Sequence, residues 1–110
     1  MKYLFRGKLQ GGDRWIYGYL KSADEIIEDD ILYKIDAVTA SLWTNFKDDY
    51  GHKIFEKDVL EIDGLYYEVK YLGGSYVCEC VGHSSVRIAL AAFIYGNYKV
   101  KVIGNTYEAV

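Results

Sequence analysis

The sequence predicts a mainly β protein with a minor α component: a small antiparallel barrel or roll with one short helix. Several short runs alternate apolar and polar residues, and dipeptides typical of tight turns separate them. The chain has no proline but 11 glycines and 12 tyrosines. Turns must therefore be built from Gly, Asn and Asp, which favours hairpins, and tyrosine suits strand positions. Short strands joined by hairpins protect their edges by closing, which gives the barrel or roll.

Length and composition exclude several classes of protein. The 110 residues fit one domain, residues 1–110. A hydrophobic content of 51% and a net charge of −3 do not fit a disordered chain, or one that bulk positive charge holds on phosphate backbones. The longest mostly apolar run, residues 86–95, contains Arg87 and is too short to cross a bilayer. Without a disulfide framework or a secretory leader, we expect a cytoplasmic protein with no membrane contact.

Two strands open the chain. Residues 1–9 and 14–21 each have a strand pattern, with a Gly-containing turn between them. The second run is apolar or aromatic on both of its faces, so it predicts a strand covered on both sides. Gly18 in its middle predicts a bulge or a close approach of another backbone. Residues 22–30 are rich in Asp and Glu, and they form either a short helix capped by Ser22 or a mobile loop.

The middle of the chain combines one strand with irregular structure. Residues 31–35 predict a short strand, and residues 36–46 an irregular stretch that contains Trp43. Residues 47–51 predict a turn of the Asp/Gly type.

The clearest pattern is a three-stranded meander in the second half. Its strands and turns are, in order, 59–62, Asp63-Gly64, 65–72, Gly73-Gly74 and 75–81. Both dipeptides are strong hairpin signals. Residues 84–95 combine Ser caps with a helical spacing of apolar residues and predict the one short helix. Residues 99–103 predict the last strand.

No combination of residues predicts catalysis. Cys78, Cys80 and His83, with His52 as a fourth ligand, are the best metal candidate, but the C-x2-C spacing typical of zinc sites is absent. Buried cysteines are ordinary core residues, and no Ser or Cys has a recognisable base beside it. We expect no enzyme activity, no metal and no cofactor. A metal-dependent hydrolase that uses these groups is the second alternative.

An aromatic and basic surface is the candidate binding site. Aromatic residues alternate with Lys and Arg in the first two strands, and interfaces favour tyrosine. The candidate binding residues are Tyr3, Arg6, Trp15, Tyr17 and Trp43. We expect a non-enzymatic binding or interaction module that self-associates as a homo-oligomer, with another protein as a possible partner. The first alternative, which we do not favour, is single-stranded nucleic-acid binding, with bases stacked on the side that carries Tyr3, Trp15 and Tyr17.

Three motifs in order resemble the YopX-like family of small phage and prophage proteins. Its members begin with an F-R-G-K strand and a W-x-Y-G-Y-L strand, which here are residues 5–8 and 15–20. The central pattern T-V-G-Q-Y-T-G-L-K-D-K-N-G-K-x-I-[YF]-E-G-D-[IV] is similar to residues 39–59. Its closing E-V-I-G-N-I-Y-E is similar to residues 102–108.

The resemblance implies a phage or prophage origin, a bacterial cytoplasm and a β-rich domain similar to SH3-like rolls. It implies no activity and therefore assigns no functional residue. Within it, Lys47-Asp48-x-x-Gly51 is a turn that needs a glycine with positive φ, and Gly104-Asn105 is a strand exit or bulge. Asn45 and Lys57 stand where the family pattern has glycine.

Overall fold

The computed structural model of the protein describes residues 3–108 and confirms the mainly β prediction. Within that range the strands are β1 (Leu4–Lys8), β2 (Trp15–Ser22), β3 (Glu25–Glu28), β4 (Ile31–Lys34), β5 (Ser41–Lys47), β6 (Lys53–Phe55), β7 (Asp58–Ile62), β8 (Leu65–Leu72), β9 (Ser75–Cys80), β10 (His83–Ala89) and β11 (Val100–Asn105). A 3-10 helix (Ala37–Thr39) precedes β5, and α1 (Leu90–Ile94) follows β10. Met1, Lys2, Ala109 and Val110 lie outside the described residues.

The chain divides into two compact units between Trp43 and Thr44, which we call unit 1 and unit 2. β5 crosses this boundary. Each unit has its own core: Ile16, Ile26 and Ile35 are the buried centre of unit 1, and a larger cluster around α1 fills unit 2. That the whole chain is one domain stays a prediction.

In unit 1, the first four strands form consecutive antiparallel hairpins, and β1 also pairs with the start of β5. The sheet rolls up at one end, because Leu9 after β1 forms a bridge with Ile35 after β4. Two backbone hydrogen bonds reinforce this closure, from Gln10 to the Lys34 carbonyl (3.0 Å) and from Asp36 to the Lys8 carbonyl (2.8 Å). Across residues 3–108 both sheets nevertheless keep edge strands, so neither is a completely closed barrel.

Strand β2 differs from its prediction in one respect. Ile16 and Gly18 are buried, but Tyr17 and Tyr19 are 44% and 45% exposed, so the strand is covered on one face and the expectation of cover on both was wrong. Tyrosine counts as apolar in a periodicity pattern, yet its hydroxyl lets the ring stand in water. The predicted close approach at Gly18 is confirmed: a Cβ there would lie 1.9 Å from the carbonyl oxygen of Ile27.

The acidic segment 22–30 is neither a helix nor a loop. It contains β3 and the turn Asp29-Asp30, whose φ angles of 51° and 66° are those of a two-residue type I′ hairpin. The Ser22 hydroxyl donates to the Glu25 carboxylate (2.7 Å) instead of capping a helix. Aspartate tolerates left-handed backbone better than most residues, which lets this pair turn the chain without glycine.

In unit 2 the predicted meander is confirmed. Strands β7, β8 and β9 pair in sequence through Asp63-Gly64 and Gly73-Gly74, whose residues all have positive φ. The five-stranded sheet has the order β10-β9-β8-β7-β11. A register shift between Val102 and Gly104 in β11 confirms the predicted bulge near the Gly104-Asn105 motif.

Two further predictions were wrong in part. Residues 36–46 are not irregular, because they contain the 3-10 helix and most of β5. The helix predicted over 84–95 is only α1, and the residues before it form β10. Strand β10 has a bulge between His83 and Arg87 and is largely exposed. The spacing of its apolar residues therefore does not correspond to a buried face.

We predict that Gly18→Ala destabilises the protein by about 2–3 kcal/mol, because the added methyl group must displace the β3 backbone. Urea unfolding followed by circular dichroism measures the change. Gly12→Ala is the matched control in the same unit, since its Cβ would meet only the Leu9 side chain at 3.4 Å. Equal stabilities of the two variants would contradict the close approach.

Candidate binding surface

Four of the five predicted binding residues lie on one face of unit 1. Arg6 is the direct cross-strand partner of Tyr17 and of Ser41. Directly paired residues project to the same face of a sheet, and so do residues two apart in one strand. The face that carries Arg6 therefore also carries Trp15, Tyr17 and, two residues after Ser41, Trp43. Residue 3 precedes β1, so the strand register assigns Tyr3 to no face.

Arg6 is not the surface cation that the sequence predicts. It is only 5% exposed, and its guanidinium carbon lies 5.0 Å from the centre of the Trp15 ring. A guanidinium stacked on an indole is a favourable cation–π contact that holds the ring in place. Arg6 thus belongs to the floor of this face and supports Trp15.

The exposed part of the face is aromatic. Trp15 and Trp43 are half-buried, whereas Tyr17 and Tyr19 are both more than two-fifths exposed. We call Trp15, Tyr17, Tyr19 and Trp43 the aromatic surface. Tyr19 was missing from the predicted site, although the alternation that selects Trp15 and Tyr17 continues to it. Tyr3 is 56% exposed outside this set.

A half-open depression of about 590 Å³ continues the aromatic surface. Its lining consists of Tyr19, Leu20, Lys21, Ile27, Asp29 and Asp30. Three of these residues, Tyr19, Leu20 and Ile27, are apolar or aromatic, and the other three are charged.

Several cations near the aromatic surface are already engaged. Arg14 pairs with Glu28 and lies 5.0 Å from the centre of the Tyr33 ring. The hydrogen bond with Tyr33 is the largest influence that raises the pKa of Arg14 above its ordinary value, and the neighbouring Glu28 raises it further. Lys8 lies 3.8 Å from Asp13. Arg14 and Lys8 thus each have an acidic neighbour, whereas Lys21 forms no ion pair with any residue in the range 3–108.

The outward face of the unit 2 sheet is of a different kind. Glu79 binds Lys70 (2.9 Å) and Arg87 (3.0 Å), and Lys57 lies 3.8 Å from Glu68. The hydrogen bonds from Lys70 and Arg87 lower the pKa of Glu79, and the hydrogen bond to Glu79 raises the pKa of Lys70. Alternating charges of this kind are typical of a solvated face.

In unit 2 the buried carboxylate of Asp48 holds the turn after β5. Its Oδ1 accepts hydrogen bonds from the amides of Tyr50 (2.9 Å) and His52 (2.8 Å), and its Oδ2 from that of Val102 (2.9 Å). The Nδ1 atom of His52 lies 3.3 Å from Oδ2. Gly51 has a φ of 85°, which confirms the predicted positive-φ glycine.

Asp48 and its neighbour cover the outer edge of β11. Asp49 accepts a hydrogen bond from the Val100 amide and donates its own amide to the Val100 carbonyl (3.0 Å). Because β11 is the last strand of its sheet, these bonds use groups that an edge strand would otherwise offer to another chain. Sequence reasoning identified the turn but missed this role of its two adjacent aspartates.

The charge of Asp48 is stabilised where it lies. Burial, the largest influence, would raise the pKa of its carboxyl, but the hydrogen bonds from Val102, His52 and Tyr50 together outweigh burial and lower the pKa. A carboxyl with a lowered folded-state pKa stabilises the fold above its unfolded pKa of about 3.9. That contribution is lost as the pH falls through the folded-state pKa.

The structure does not assemble the candidate metal ligands. Cys78 and Cys80 point into the core, and burial raises the pKa of the Cys78 thiol to about 12. His83 is exposed in β10, and His52 contacts Asp48. Among residues 3–108, no three His, Cys, Asp or Glu side chains are grouped so that they could hold a metal ion.

These features define a small, mainly β protein whose candidate site is an aromatic surface on a sheet. Residues 37–109 match the family described as YopX protein, and the chain belongs to this family. The match includes the Asp48 turn and the unit 2 sheet, whereas β1 and β2 lie outside it. Neither the curated proteins nor the solved structures gave a significant match. In the described part of the chain, no helix has the length and apolar character needed to cross a bilayer.

We predict that Asp48→Asn lowers the free energy of unfolding by about 2–4 kcal/mol at pH 7, because the amide loses charge and one acceptor atom. The difference from the unsubstituted protein stays constant above about pH 5 and shrinks below it, because Asp48 in the unfolded chain then binds a proton more readily than Asp48 in the fold does. Urea unfolding at several pH values measures both effects.

Asp63→Asn is the matched control, since Asp63 is exposed in a hairpin turn that also suits asparagine. We expect it to leave the stability nearly unchanged. A similar loss for both variants, or a loss at Asp48 that does not depend on pH, would contradict the role of the buried charge.

Proposed function

We propose that the protein is a non-enzymatic interaction module that self-associates through the aromatic surface of unit 1. The observation that carries this proposal is that Tyr17 and Tyr19 are exposed beside Trp15. The ring of Trp15 itself is stacked on the buried guanidinium of Arg6. Rigid aromatic side chains supply large contact areas at low entropic cost, and Tyr, Trp and Arg are enriched where interfaces carry their binding energy.

The charges around the surface favour a protein partner over a nucleic acid. Single-strand binding surfaces combine stacking rings with cations that reach phosphates. Here Arg6 is buried, Arg14 pairs with Glu28, and Lys8 lies near Asp13. Lys21 forms no ion pair within residues 3–108, but it shares its depression with two aspartates. Single-stranded nucleic-acid binding therefore stays the less favoured alternative.

A metal-dependent hydrolase is supported least. Its candidate thiols lie in the core of unit 2, and its two histidines occupy the β5–β6 turn and the exposed strand β10. A thiol as strongly protonated as that of Cys78 is a poor nucleophile or metal ligand at neutral pH.

The remaining context of the proposal comes from the resemblance that the sequence motifs carry. We infer a phage or prophage origin and a site of action in the bacterial cytoplasm. A single domain similar to SH3-like rolls is part of the same proposal, and the rolled sheet of unit 1 supports it.

We predict that the double variant Tyr17→Thr/Tyr19→Thr weakens self-association at least tenfold. Threonine keeps the strand propensity and removes the rings. Light scattering over a concentration series measures the effect: the unsubstituted protein gains mass with concentration, and the variant stays monomeric in the same range.

Tyr66→Thr is the matched control, because Tyr66 is 47% exposed on the charged face of unit 2 and its removal should not change the association. A strictly monomeric unsubstituted protein at every concentration would overturn the proposal. In a parallel experiment, tight binding of labelled single-stranded oligonucleotides that added salt abolishes would favour the alternative.

A further inference from the structure

The depression beside the aromatic surface has an apolar centre with opposite charges at its ends. Tyr19 and Ile27 are cross-strand partners and form the centre. Lys21 lies two residues beyond Tyr19, and Asp29 lies two residues beyond Ile27. Because β2 and β3 are antiparallel, these steps run in opposite directions, so Lys21 and Asp29 lie beyond opposite ends of the Tyr19 and Ile27 pair, with Lys21 at the register shift between Leu20 and Ser22.

Most other charges on β2, β3 and β4 are matched within unit 1. Arg14 pairs with Glu28, and Lys34 lies 3.4 Å from Asp24 and 3.7 Å from Glu25. Most charged side chains on and next to these strands thus have an oppositely charged neighbour within 4 Å.

The charges of the depression are an exception. Lys21, Asp29 and Asp30 form no ion pair with any residue in the range 3–108. All three line the depression, and the antiparallel register of β2 and β3 puts Lys21 and Asp29 on opposite sides of the Tyr19 and Ile27 pair. An apolar centre flanked by unmatched opposite charges is complementary to a copy of itself that is turned by 180°.

We propose that a second copy of this chain occupies the depression in a two-fold symmetric dimer, with Lys21 of each copy against Asp29 and Asp30 of the other. The symmetry axis passes near the pair Tyr19 and Ile27, so both charge contacts form at once. In such an isologous contact one surface patch meets itself, and the association stops at two copies. This inference rests on the proposed self-association and specifies its geometry.

A charge-reversal experiment tests the inference. Lys21→Glu alone places like charges at both ends of the contact, and so does Asp29→Lys/Asp30→Lys alone. We expect each variant to associate at least tenfold more weakly than the unsubstituted protein. Mixing the two in equal amounts restores opposite charges at both ends, and light scattering should then give the mass of a dimer.

Lysine is less suited than aspartate to the left-handed turn, so Asp29→Asn/Asp30→Asn provides a second variant that keeps the turn. Mixed with Lys21→Glu, it should form a dimer more stable than either variant forms alone. Circular dichroism of every variant checks that the sheet is retained.

Three results would overturn the two-fold contact: no weakening by either reversal, no recovery on mixing, or recovery only as a species larger than a dimer. Each is distinct from failure of the proposed function. If Tyr17→Thr/Tyr19→Thr still abolishes association while the charge variants behave in one of these ways, the aromatic surface binds a copy in another orientation.

Discussion

The fold of this chain depends on how the outer edges of its sheets are covered. An edge strand has unpaired amides and carbonyls, which can form hydrogen bonds with a strand of another molecule. In unit 2 the carboxylates of Asp48 and Asp49 accept the amides of β11, which ends the five-stranded sheet without a sixth strand. In unit 1 the sheet rolls up until Ile35 meets Leu9. Both arrangements satisfy backbone groups of particular strands, at β11 through the two carboxylates and at β1 and β4 through backbone pairing.

The faces of the two sheets then differ in a way that bears on function. The outward face of unit 2 satisfies its charges with ion pairs such as that of Glu79 with Lys70 and Arg87, and water covers it at little cost. In the aromatic surface of unit 1, Tyr17 and Tyr19 are exposed, and Trp15 beside them is stacked on the buried Arg6. Exposed aromatic side chains of this kind are enriched at protein interfaces, and this observation supports the proposed association.

The sequence is sufficient to predict the meander, because Asp63-Gly64 and Gly73-Gly74 are unambiguous turn formers. It is not sufficient for β3, whose Asp29-Asp30 turn has left-handed backbone without glycine. Asn45 and Lys57 also have left-handed backbone without being glycine, with φ angles of 70° and 74°. Both stand where the family pattern has glycine. At both positions this chain thus has the left-handed backbone that glycine adopts most easily. The positions of side chains in space were harder to predict. Alternation along β2 correctly predicts that Trp15 and Tyr17 share one face. The burial of Arg6 beneath Trp15 depends on packing between strands, which the local sequence pattern does not show.

Comparison of backbone amide chemical shifts between dilute and concentrated solutions tests the central claim most directly, because it locates the contact without altering the protein. We expect concentration-dependent changes to be confined to residues 15–21, 27–30 and 43, around the aromatic surface and the adjoining depression. Changes centred on the Asp48 turn or on the charged face of unit 2, or spectra that do not depend on concentration, would contradict it.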